Sequence, residues 1–416
     1  MEKVWIFNQY GMLPEHGPMA RTYRFIRNLN RKGCEAAAFV ASHPHNTPLQ
    51  LIADNKRYKI SDECPFPWVF VKTCNYEDGK GLKKLRRLWS IVQYFVGLFS
   101  VTKNFDVPDC IIGSSAPPFT ALAALLIARR YKCKGIVEVR DLWPESLVVY
   151  GVASRKNPVV RLMYRLEKWL YTNADAVIFT MEGGRDYITD QGWDTGHGGS
   201  IDLSKVYYIN NGVDLEEFDY NREHCTVKDP DLDDPDTFKI IYTGSMRRIN
   251  NVGFLLDVMK QIPDSRIKLL IWGRGNETDA LKLRTKNENI TNVIFKENVE
   301  KNRIPYILSK ADLCMLHWRS TSISRYGMSM NKLFEYLAAG KPVLSTTSTA
   351  YDAVEKYKCG ISKTFASPKE CADAILQMKD LDRAQYRSYC ENARKAAEDF
   401  DFNVLTEKML KAIDNA

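Results

Sequence analysis

The feature that most constrains the fold of this chain is a regular alternation of short apolar runs with helical patterns. Each apolar run has the length of a buried strand, and a stretch of helical periodicity follows it. In the first half the predicted strands include residues 4–7, 39–40, 110–112, 135–139, 176–179 and 206–209. A second series has predicted strands at 239–242, 268–272, 292–295, 313–316 and 342–344. Strands that alternate with helices form parallel sheets, so we predict an α/β protein with two doubly wound sheets.

A stretch rich in Asp and Pro separates the two series. Residues 226–237 (TVKDPDLDDPDT) offer almost no apolar surface, and 416 residues exceed one comfortable core. We predict a Rossmann-like N-terminal domain at 1–218, a linker at 219–237 and a second Rossmann-like domain at 238–395. The last segment, 396–416, is expected to form a helix that packs back on the first domain. The two domains would face each other across a deep cleft at the carboxyl ends of both sheets.

Composition narrows the class of partner and the setting. The formal net charge of +8 suits an anionic partner such as a sugar nucleotide, a lipid phosphate or a membrane surface. Since no basic stripe interleaves with aromatic residues, we expect no nucleic-acid partner. The ten cysteines include no Cys-x-x-Cys pair and no signal peptide is recognisable, which favours a reducing, cytoplasmic setting. His43-Pro-His45 lacks a carboxylate or thiol at ligand spacing, so no metal site is expected there.

One segment combines strong positive charge with apolar character. In residues 80–99 (KGLKKLRRLWSIVQYFVGLF), five basic residues precede a mainly apolar helix that carries Trp89. This pattern favours contact with an anionic membrane surface. A core helix with a solvated basic first turn is the alternative. The apolar stretches 88–101 and 116–128 are too short to cross a bilayer.

The strongest local motif is residues 329–342 (SMNKLFEYLAAGKP). Ser329 is a predicted N-cap, and Gly340 is a predicted C-terminal stop. The unpaired N–H groups of the first turn form an anion site, to which Lys332 adds a full charge. Those N–H groups belong to Met330, Asn331 and Lys332. Glu335, one turn further on, is placed to accept hydrogen bonds from a ribose diol, although spacing alone equally fits a capped helix with a solvated Lys and Glu.

This motif resembles the donor-binding helix of the retaining glycosyltransferases of family four, which have the two-domain GT-B fold. Other stretches match in the same order along the chain: 138–146 (EVRDLWPES), 173–178 (NADAVI), 209–214 (INNGVD), 242–245 (YTGS) and 272–275 (WGRG). The first of them is similar to a motif of the branch that builds bacterial O-antigen and capsule, which includes aminosugar transferases. The matches cover nearly the whole chain, and their order makes the resemblance specific.

The resemblance implies a retaining hexosyltransferase that moves a hexose or aminosugar from a nucleoside diphosphate sugar, with UDP as the expected nucleotide. The acceptor would be a glycan, linked to a lipid such as polyprenyl diphosphate, in the biosynthesis of bacterial O-antigen, capsule or exopolysaccharide. The first domain would bind the acceptor and the second the nucleotide sugar. The enzyme would be cytoplasmic and peripheral on the inner face of the plasma membrane.

The resemblance also implies roles for single residues. Glu335 would hold the donor ribose, while Lys332 and the first-turn amides would meet the diphosphate. Gly273 and Gly275 would let the backbone approach the base. Gly17, in the loop His16-Gly17-Pro18, would lie near the donor phosphate or the acceptor.

Several positions depart from the family pattern. Gly327 stands where members often have a second Glu that contacts the sugar hydroxyls, and Arg140 stands where a His commonly precedes the aspartate, here Asp141. Asp141 and Glu145 are the carboxylates best suited to position or deprotonate the acceptor hydroxyl. A structural ion pair between Arg140 and Asp141 is the alternative.

The basic residues that usually follow the first glycine loop are also displaced. After Gly244 the nearest are Arg247 and Arg248, one of which we expect to neutralise the leaving diphosphate, with two solvated arginines as the alternative. A helix N-terminus, a Lys and an Arg can stabilise that charge without a metal, so we expect neither metal nor cofactor.

Two other functions stay open at this stage. A nucleotide-sugar 2-epimerase would bind the same donor without an acceptor. A non-catalytic partner in polysaccharide assembly would account for the departures at Gly327 and Arg140. A dinucleotide oxidoreductase is disfavoured, because the loop at 273–278 lacks the third glycine of Gly-x-Gly-x-x-Gly.

Overall fold

The computed structural model describes residues 2–17, 20–77, 82–115 and 117–416. Pro18 of the predicted glycine loop and Lys80 at the start of the basic segment lie outside the described residues. The chain forms two compact units. Unit 1 comprises Met1–Asn210 with Leu405–Ala416, and unit 2 comprises Asn211–Val404.

Unit 1 is built on an eight-stranded sheet with the order β3-β4-β2-β1-β5-β6-β7-β8. Its strands are β1 (Lys3–Phe7), β2 (Glu35–Ala41), β3 (Tyr58–Ile60), β4 (Trp68–Val71), β5 (Cys110–Ser114), β6 (Lys134–Val139), β7 (Ala176–Phe179) and β8 (Val206–Tyr208). Every pair is parallel except the edge pair β3–β4. Because the chain leaves β1 first to one side and later to the other, the strand order reverses between β1 and β5.

The helices that follow these strands cover the sheet of unit 1. They are α1 (Arg21–Arg31), α2 (Lys83–Val101), α3 (Pro118–Tyr131), α4 (Glu145–Val149), α5 (Pro158–Asn173) and α6 (Gly184–Asp190). Helix α3 packs closely on the sheet, since a Cβ on Gly113 of β5 would lie 2.5 Å from the Cβ of Ala124. Small residues on both sides of this contact therefore set the spacing between helix and strand.

Unit 2 contains a six-stranded sheet in the order β11-β10-β9-β12-β13-β14, and every pair is parallel. The strands are β9 (Phe238–Thr243), β10 (Ile267–Trp272), β11 (Val293–Phe295), β12 (Leu313–Leu316), β13 (Val343–Ser345) and β14 (Gly360–Ser362). The helices are α7 (Leu215–His224), α8 (Pro230–Asp233), α9 (Val252–Met259), α10 (Thr278–Asn287), α11 (Ile304–Ser309), α12 (Asn331–Ala338), α13 (Ala353–Lys356), α14 (Pro368–Lys379) and α15 (Arg383–Asp399). The strand order reverses between β9 and β12.

The stretch 219–237, predicted as a linker, lies within unit 2 and includes the second half of α7 and all of α8. Its carboxylates are anchored: Lys296 Nζ donates hydrogen bonds of 2.6 Å to both Asp229 and Asp231. Ion pairs thus hold in place a segment that has little apolar surface to bury.

The last helix, α16 (Phe402–Asp414), returns the chain to unit 1. Within unit 1, Lys32 pairs with Glu407, and Lys134 Nζ donates a hydrogen bond of 2.8 Å to the carbonyl of Ile413. Leu405 and Ile413 are fully buried. Unit 1 is therefore assembled from two separate pieces of sequence.

The predicted α/β class with two doubly wound parallel sheets is confirmed. Strands β3, β4 and β14 were not predicted. Among the described residues, none of the helices is long and apolar enough to cross a membrane.

Candidate functional site

The loops at the carboxyl edge of the unit 2 sheet surround the point where the strand order reverses. The loop after β9 begins at Gly244, the loop after β12 begins at His317, and α12 starts beside them on the crossover from β12 to β13. In open parallel sheets this position is where ligands bind, because the loops diverge there and leave a crevice.

Two glycine loops at this edge are bonded to each other. The N–H of Gly244 donates to the carbonyl of Trp272 at 2.9 Å, and the N–H of Met246 donates to that of Arg274 at 3.1 Å. A Cβ on Gly273, where φ is 147°, would lie 1.9 Å from the carbonyl oxygen of Gly244. A Cβ on Gly275 would lie equally close, 1.9 Å, to that of Met246. Both glycines are thus required for the two loops to approach each other, independently of any role in letting the backbone approach a ligand.

Helix α12 begins without a side-chain cap. Met330 occupies the N-cap position, so the prediction that Ser329 caps the helix is wrong. The Ser329 hydroxyl instead accepts a hydrogen bond of 2.7 Å from the N–H of Asn211, whose side-chain amide also donates to the Ser329 carbonyl at 2.8 Å. Among the described residues, the N–H groups of Asn331 and Lys332 have no acceptor. The positive end of the helix dipole is therefore free to receive an anion.

Lys332 brings its charge to the same place. Its Nζ donates a hydrogen bond of 3.0 Å to the Tyr242 hydroxyl and lies 4.4 Å from the centre of the Tyr242 ring. Burial lowers the pKa of the ammonium to about 8, although Glu335 offsets part of this effect. A Cβ on Gly244 would lie 3.1 Å from the same Nζ, so the glycine leaves room for the lysine. The arrangement presents a poorly solvated cation beside unpaired N–H groups.

Glu335 lies one turn along α12 and is partly buried. Its carboxylate is 3.1 Å from the Nζ of Lys301, which is itself half exposed. Because the lysine is half exposed to solvent, the pair contributes little to stability, and a ligand that offers hydroxyl groups can displace the lysine at small cost.

Gly327, which stands where family members often have a second Glu, has an unusual backbone conformation. Gly327 has a φ of 87°, a conformation that favours glycine over residues with a side chain. A Glu at this position would be strained. The sequence departure at Gly327 is therefore built into the backbone of the loop before α12.

Arg247 and Arg248 follow the first glycine loop and are exposed. No acidic partner for either guanidinium exists among the described residues. Both are free to reach an incoming anion from the loop that borders the α12 start. Hydrogen bonds close the loop that carries them, since the Asn250 N–H donates to the Arg247 carbonyl and the Asn250 side-chain amide donates to the Ser245 hydroxyl, both at 2.8 Å.

His317, which sequence reasoning missed, holds this loop against the sheet. Its Nε2 lies 3.1 Å from the carbonyl of Asn251, so Nε2 carries the proton and Nδ1 accepts from the Thr346 hydroxyl. Burial lowers the His317 pKa to about 4, and the nearby charge of Lys332 acts in the same direction. The ring stacks on Phe254 at 5.0 Å. A neutral histidine therefore ties the loop after β9 to β12 and β13, and its position directly after a strand was the only available signal.

In unit 1, the predicted carboxylates have different surroundings. Asp141 follows β6, is exposed, and forms no ion pair with Arg140. Desolvation by the surrounding protein raises the pKa of its carboxyl, and the positive charge of Arg140 offsets this only in part. Glu145 instead accepts a hydrogen bond of 2.5 Å from the Tyr164 hydroxyl and lies 3.6 Å from Arg155. The geometry leaves Asp141 available and engages Glu145 in a structural contact.

Other polar groups gather at the carboxyl edge of the unit 1 sheet. Gln9 follows β1, Ser115 follows β5 and Asn210 follows β8. The side-chain oxygen Oε1 of Gln9, the Ser115 hydroxyl and the side-chain amide of Asn210 are buried and have no hydrogen-bond partner in the part of the chain that the structure describes. Buried polar groups are normally paired, so these are candidates for contact with a polar ligand. Gly17 lies in the loop after β1, and a Cβ there would be 2.7 Å from the Met12 sulfur.

The donor atoms of metal sites are not clustered. Within the described residues, no group of three or more His, Cys, Asp or Glu side chains is arranged to hold a metal ion.

Family models match both units of the chain. A model described as "Glycosyl transferase 4-like domain" matches residues 16–197, and one described as "Glycosyl transferases group 1" matches residues 237–380. The first match lies in unit 1 and the second in unit 2.

Individual proteins are similar at low identity. The probable glycosyltransferase WbjE of Pseudomonas aeruginosa is 20% identical over 262 residues, which is 62% of this chain and 62% of that protein. Anabaena HepE in complex with UDP-glucose is 14% identical with a TM-score of 0.66, and the match covers 100% of both chains. WaaG, a glycosyltransferase involved in lipopolysaccharide biosynthesis, is 13% identical with a TM-score of 0.63 over 99% of both chains. At these identities the likeness to the two structures shows the fold.

Proposed function

The chain belongs to the GT-B glycosyltransferases, and from that premise we propose that it transfers a hexose or aminosugar from a UDP-sugar to a glycan acceptor. The observation that carries the proposal is the uncapped start of α12. Two unpaired N–H groups, the Lys332 ammonium and a glycine loop meet there, at the reversal of strand order in unit 2. Anabaena HepE, which has this fold, binds UDP-glucose, and this supports the same donor class here.

The leaving diphosphate needs its growing negative charge stabilised as the glycosidic bond breaks. The α12 N-terminus and Lys332 supply fixed positive charge at one side. Arg247 or Arg248 would supply bidentate contacts from the neighbouring loop. Three cationic sources are sufficient in this proposal, so the reaction needs neither metal nor cofactor.

Glu335 would accept hydrogen bonds from the ribose of the donor, and Lys301 would move aside when the donor binds. The carboxylate lies one turn from the N–H groups that meet the phosphate, the order in which phosphate and ribose occur in a nucleotide. Gly327 leaves no carboxylate for the sugar hydroxyls, so the sugar would be recognised by other groups.

The acceptor would bind at the carboxyl edge of the unit 1 sheet. Asp141 is the preferred group to position or deprotonate the acceptor hydroxyl, because a raised pKa makes its carboxylate a stronger base and Glu145 is engaged with Tyr164. The unpaired atoms of Gln9 and Ser115 suit the hydroxyl groups of a glycan. Retention of the anomeric configuration belongs to the proposal through the resemblance to family four.

The pathway would be the biosynthesis of a bacterial surface polysaccharide (O-antigen, capsule or exopolysaccharide), with a lipid-linked acceptor at the inner face of the plasma membrane. WaaG, which shares the fold, acts in lipopolysaccharide biosynthesis, and this supports the assignment.

Donor binding is tested by calorimetric titration of the full chain with UDP and with UDP-sugars. We expect UDP to bind, and Lys332→Met to weaken that binding at least tenfold. The matched control is Lys282→Met, a change of an exposed lysine on α10. Equal binding by the wild type and Lys332→Met would refute the assigned donor site.

Transfer is tested with the donor that binds best. Donor alone should be stable or slowly hydrolysed, and donor with a lipid-linked glycan acceptor should give an extended glycan. Accumulation of an epimeric nucleotide sugar from donor alone would replace the proposal with a 2-epimerase. Donor binding without turnover of any acceptor, together with normal polysaccharide in cells that carry Glu335→Ala, would indicate a non-catalytic partner.

A further inference from the structure

Helix α2 has two apolar faces, of which the core of unit 1 uses one. Ser90, Tyr94, Leu98 and Val101 are buried, and the Tyr94 hydroxyl donates a hydrogen bond of 2.6 Å to the carbonyl of Phe39. The opposite face forms an apolar stripe of five side chains that are 46% to 63% exposed: Leu85, Leu88, Trp89, Val92 and Val96. Their spacing of three and four residues aligns them along the helix axis.

Packing on the sheet accounts for the buried face of α2 but not for the exposed stripe. Exposed leucines and valines are ordinary when they occur singly, but contiguous apolar surface marks a site of interaction. Among the described residues, none of the five stripe side chains belongs to the hydrophobic core cluster that Tyr94, Leu98 and Val101 join.

Positive charge brackets the stripe at both ends. The first two turns of α2 carry Lys83, Lys84, Arg86 and Arg87, and the helix contains no acidic side chain. At the other end of the helix, about 20 Å from Arg87 at 1.5 Å per residue, a basic groove of about 720 Å³ opens beside Ser100 and Val101. Its four cationic side chains belong to Lys56, Arg57, Lys59 and Lys103, and no acidic residue lines it.

Acidic neighbours neutralise only part of this charge. Lys83 pairs with Glu77, and Lys56 lies 3.7 Å from Asp54. For Lys59 and Lys103 the described part of the chain provides no acidic partner. Both ends of the stripe therefore keep unbalanced positive charge.

This charge pattern selects the occupant. A second copy of the chain laid on the stripe, parallel or antiparallel, would bring a basic cluster against a basic cluster. An anionic bilayer instead offers an apolar layer to the stripe and phosphates to both ends.

We propose that α2 lies along the surface of an anionic phospholipid bilayer, with the apolar stripe inserted and the basic groove on the headgroup phosphates. The proposal requires neither donor nor acceptor, so it stands or fails independently of the transfer reaction. Lipid phosphate, rather than free phosphate, is the expected anion, because the exposed apolar stripe on the same helix needs an apolar layer beside the charge.

Vesicle flotation of the full chain tests the proposal. We expect the protein to float with vesicles of phosphatidylglycerol and phosphatidylcholine at low salt, and the bound fraction to fall at 0.5 M salt because screening weakens the attraction. Vesicles of phosphatidylcholine alone should bind at least tenfold less. Equal binding to both vesicle types would overturn the proposal.

Two sets of variants test the apolar stripe and the basic groove separately. Leu85→Ser with Trp89→Ser and Val92→Ser should reduce partitioning at least tenfold, whereas the control Val107→Ser with Leu283→Ser, at side chains 53% and 59% exposed, should not. Lys59→Glu with Lys103→Glu should reduce it at least fivefold, whereas Lys282→Glu with Lys286→Glu on α10 should not. The variants alter exposed side chains, so we expect each to melt at the wild-type temperature.

A second measurement does not depend on how the multiple variants fold. The difference between the emission of the wild type and of Trp89→Phe reports the environment of Trp89 alone. It should move to shorter wavelength with anionic vesicles and stay unchanged with free inorganic phosphate. An unmoved spectrum with vesicles, or a wild-type dimer that the stripe variant dissociates, would refute the membrane assignment.

Discussion

If Lys332 binds the donor diphosphate, UDP affinity must depend on pH around the pKa of its ammonium. Burial lowers that pKa to about 8 in the free protein. A bound diphosphate favours the charged form and raises the pKa, so binding takes up a proton when the pH exceeds 8. Affinity is therefore full at pH 7 and decreases as the pH rises through 8.

The size of the effect follows from the populations of the charged form. With a pKa of about 8, ~90% of the ammonium is charged at pH 7 and ~10% at pH 9. We therefore expect the Kd for UDP to rise roughly tenfold between these values, or ~1.4 kcal/mol. Isothermal titration at half-unit steps of pH measures it, and buffers of different ionisation enthalpy count the protons taken up.

The control is Lys332→Arg, because a guanidinium stays charged throughout this range. Its affinity is expected to be lower than that of the wild type, since the guanidinium is larger than the ammonium that it replaces beside Tyr242, but nearly constant with pH. A wild-type Kd that is the same at pH 7 and 9 would refute the reasoning. A parallel fall in Lys332→Arg would assign the pH dependence to another group.

Three further outcomes are expected. Burial raises the pKa of Glu167, on α5, to about 8 from 4.5, so the wild type should lose stability as the pH rises from 4.5 through 8. Glu167→Gln should remove this slope of ~1.4 kcal/mol per pH unit, measured by urea melts. Identical slopes for the two proteins would contradict this. Gly273→Ala should destabilise the protein by ~1–3 kcal/mol and weaken UDP binding, because its Cβ would lie 1.9 Å from the Gly244 carbonyl oxygen. A variant with the melting temperature and UDP affinity of the wild type would exclude this contact. His317→Ala should cost ~1–3 kcal/mol, because it removes the buried hydrogen bonds to Thr346 and to the Asn251 carbonyl. It should also raise the Kd for UDP through the released loop, and an unchanged Kd would restrict His317 to a role in stability.

The strands of the two sheets were predictable where the apolar runs were long. Residues 176–179 and 313–316 read as buried strands because all four side chains of each are apolar or small, and these are the bounds of β7 and β12. Strands β3 and β14 have three residues each, and their partly exposed side chains give no clear period. Their pairing depends on neighbouring strands that are distant in sequence, as Tyr58 with Val71 illustrates.

At the candidate site, local signals were correct where the geometry is local. Gly340 ends α12 with a φ of 62°, as its position after the helical pattern indicated. The error at Ser329 is a long-range effect, because its hydroxyl is taken by Asn211, 118 positions earlier. The role of Gly273 in packing against the other loop, and that of His317 as a clamp, likewise depend on contacts between loops from separate strands. Such contacts leave no periodic mark on the sequence.

The two-piece construction of unit 1 has a consequence for how the protein is made on the ribosome. Lys134, on β6 of unit 1, donates a hydrogen bond to the carbonyl of Ile413, which lies 279 positions later and emerges after all of unit 2. The first piece of unit 1 is therefore made before unit 2, and its second piece is made after unit 2. Domains usually fold in the order in which they are synthesised. Here unit 1 is begun before unit 2 but completed after it, so loss of residues 405–416 would leave unit 1 unfinished and unit 2 intact in sequence.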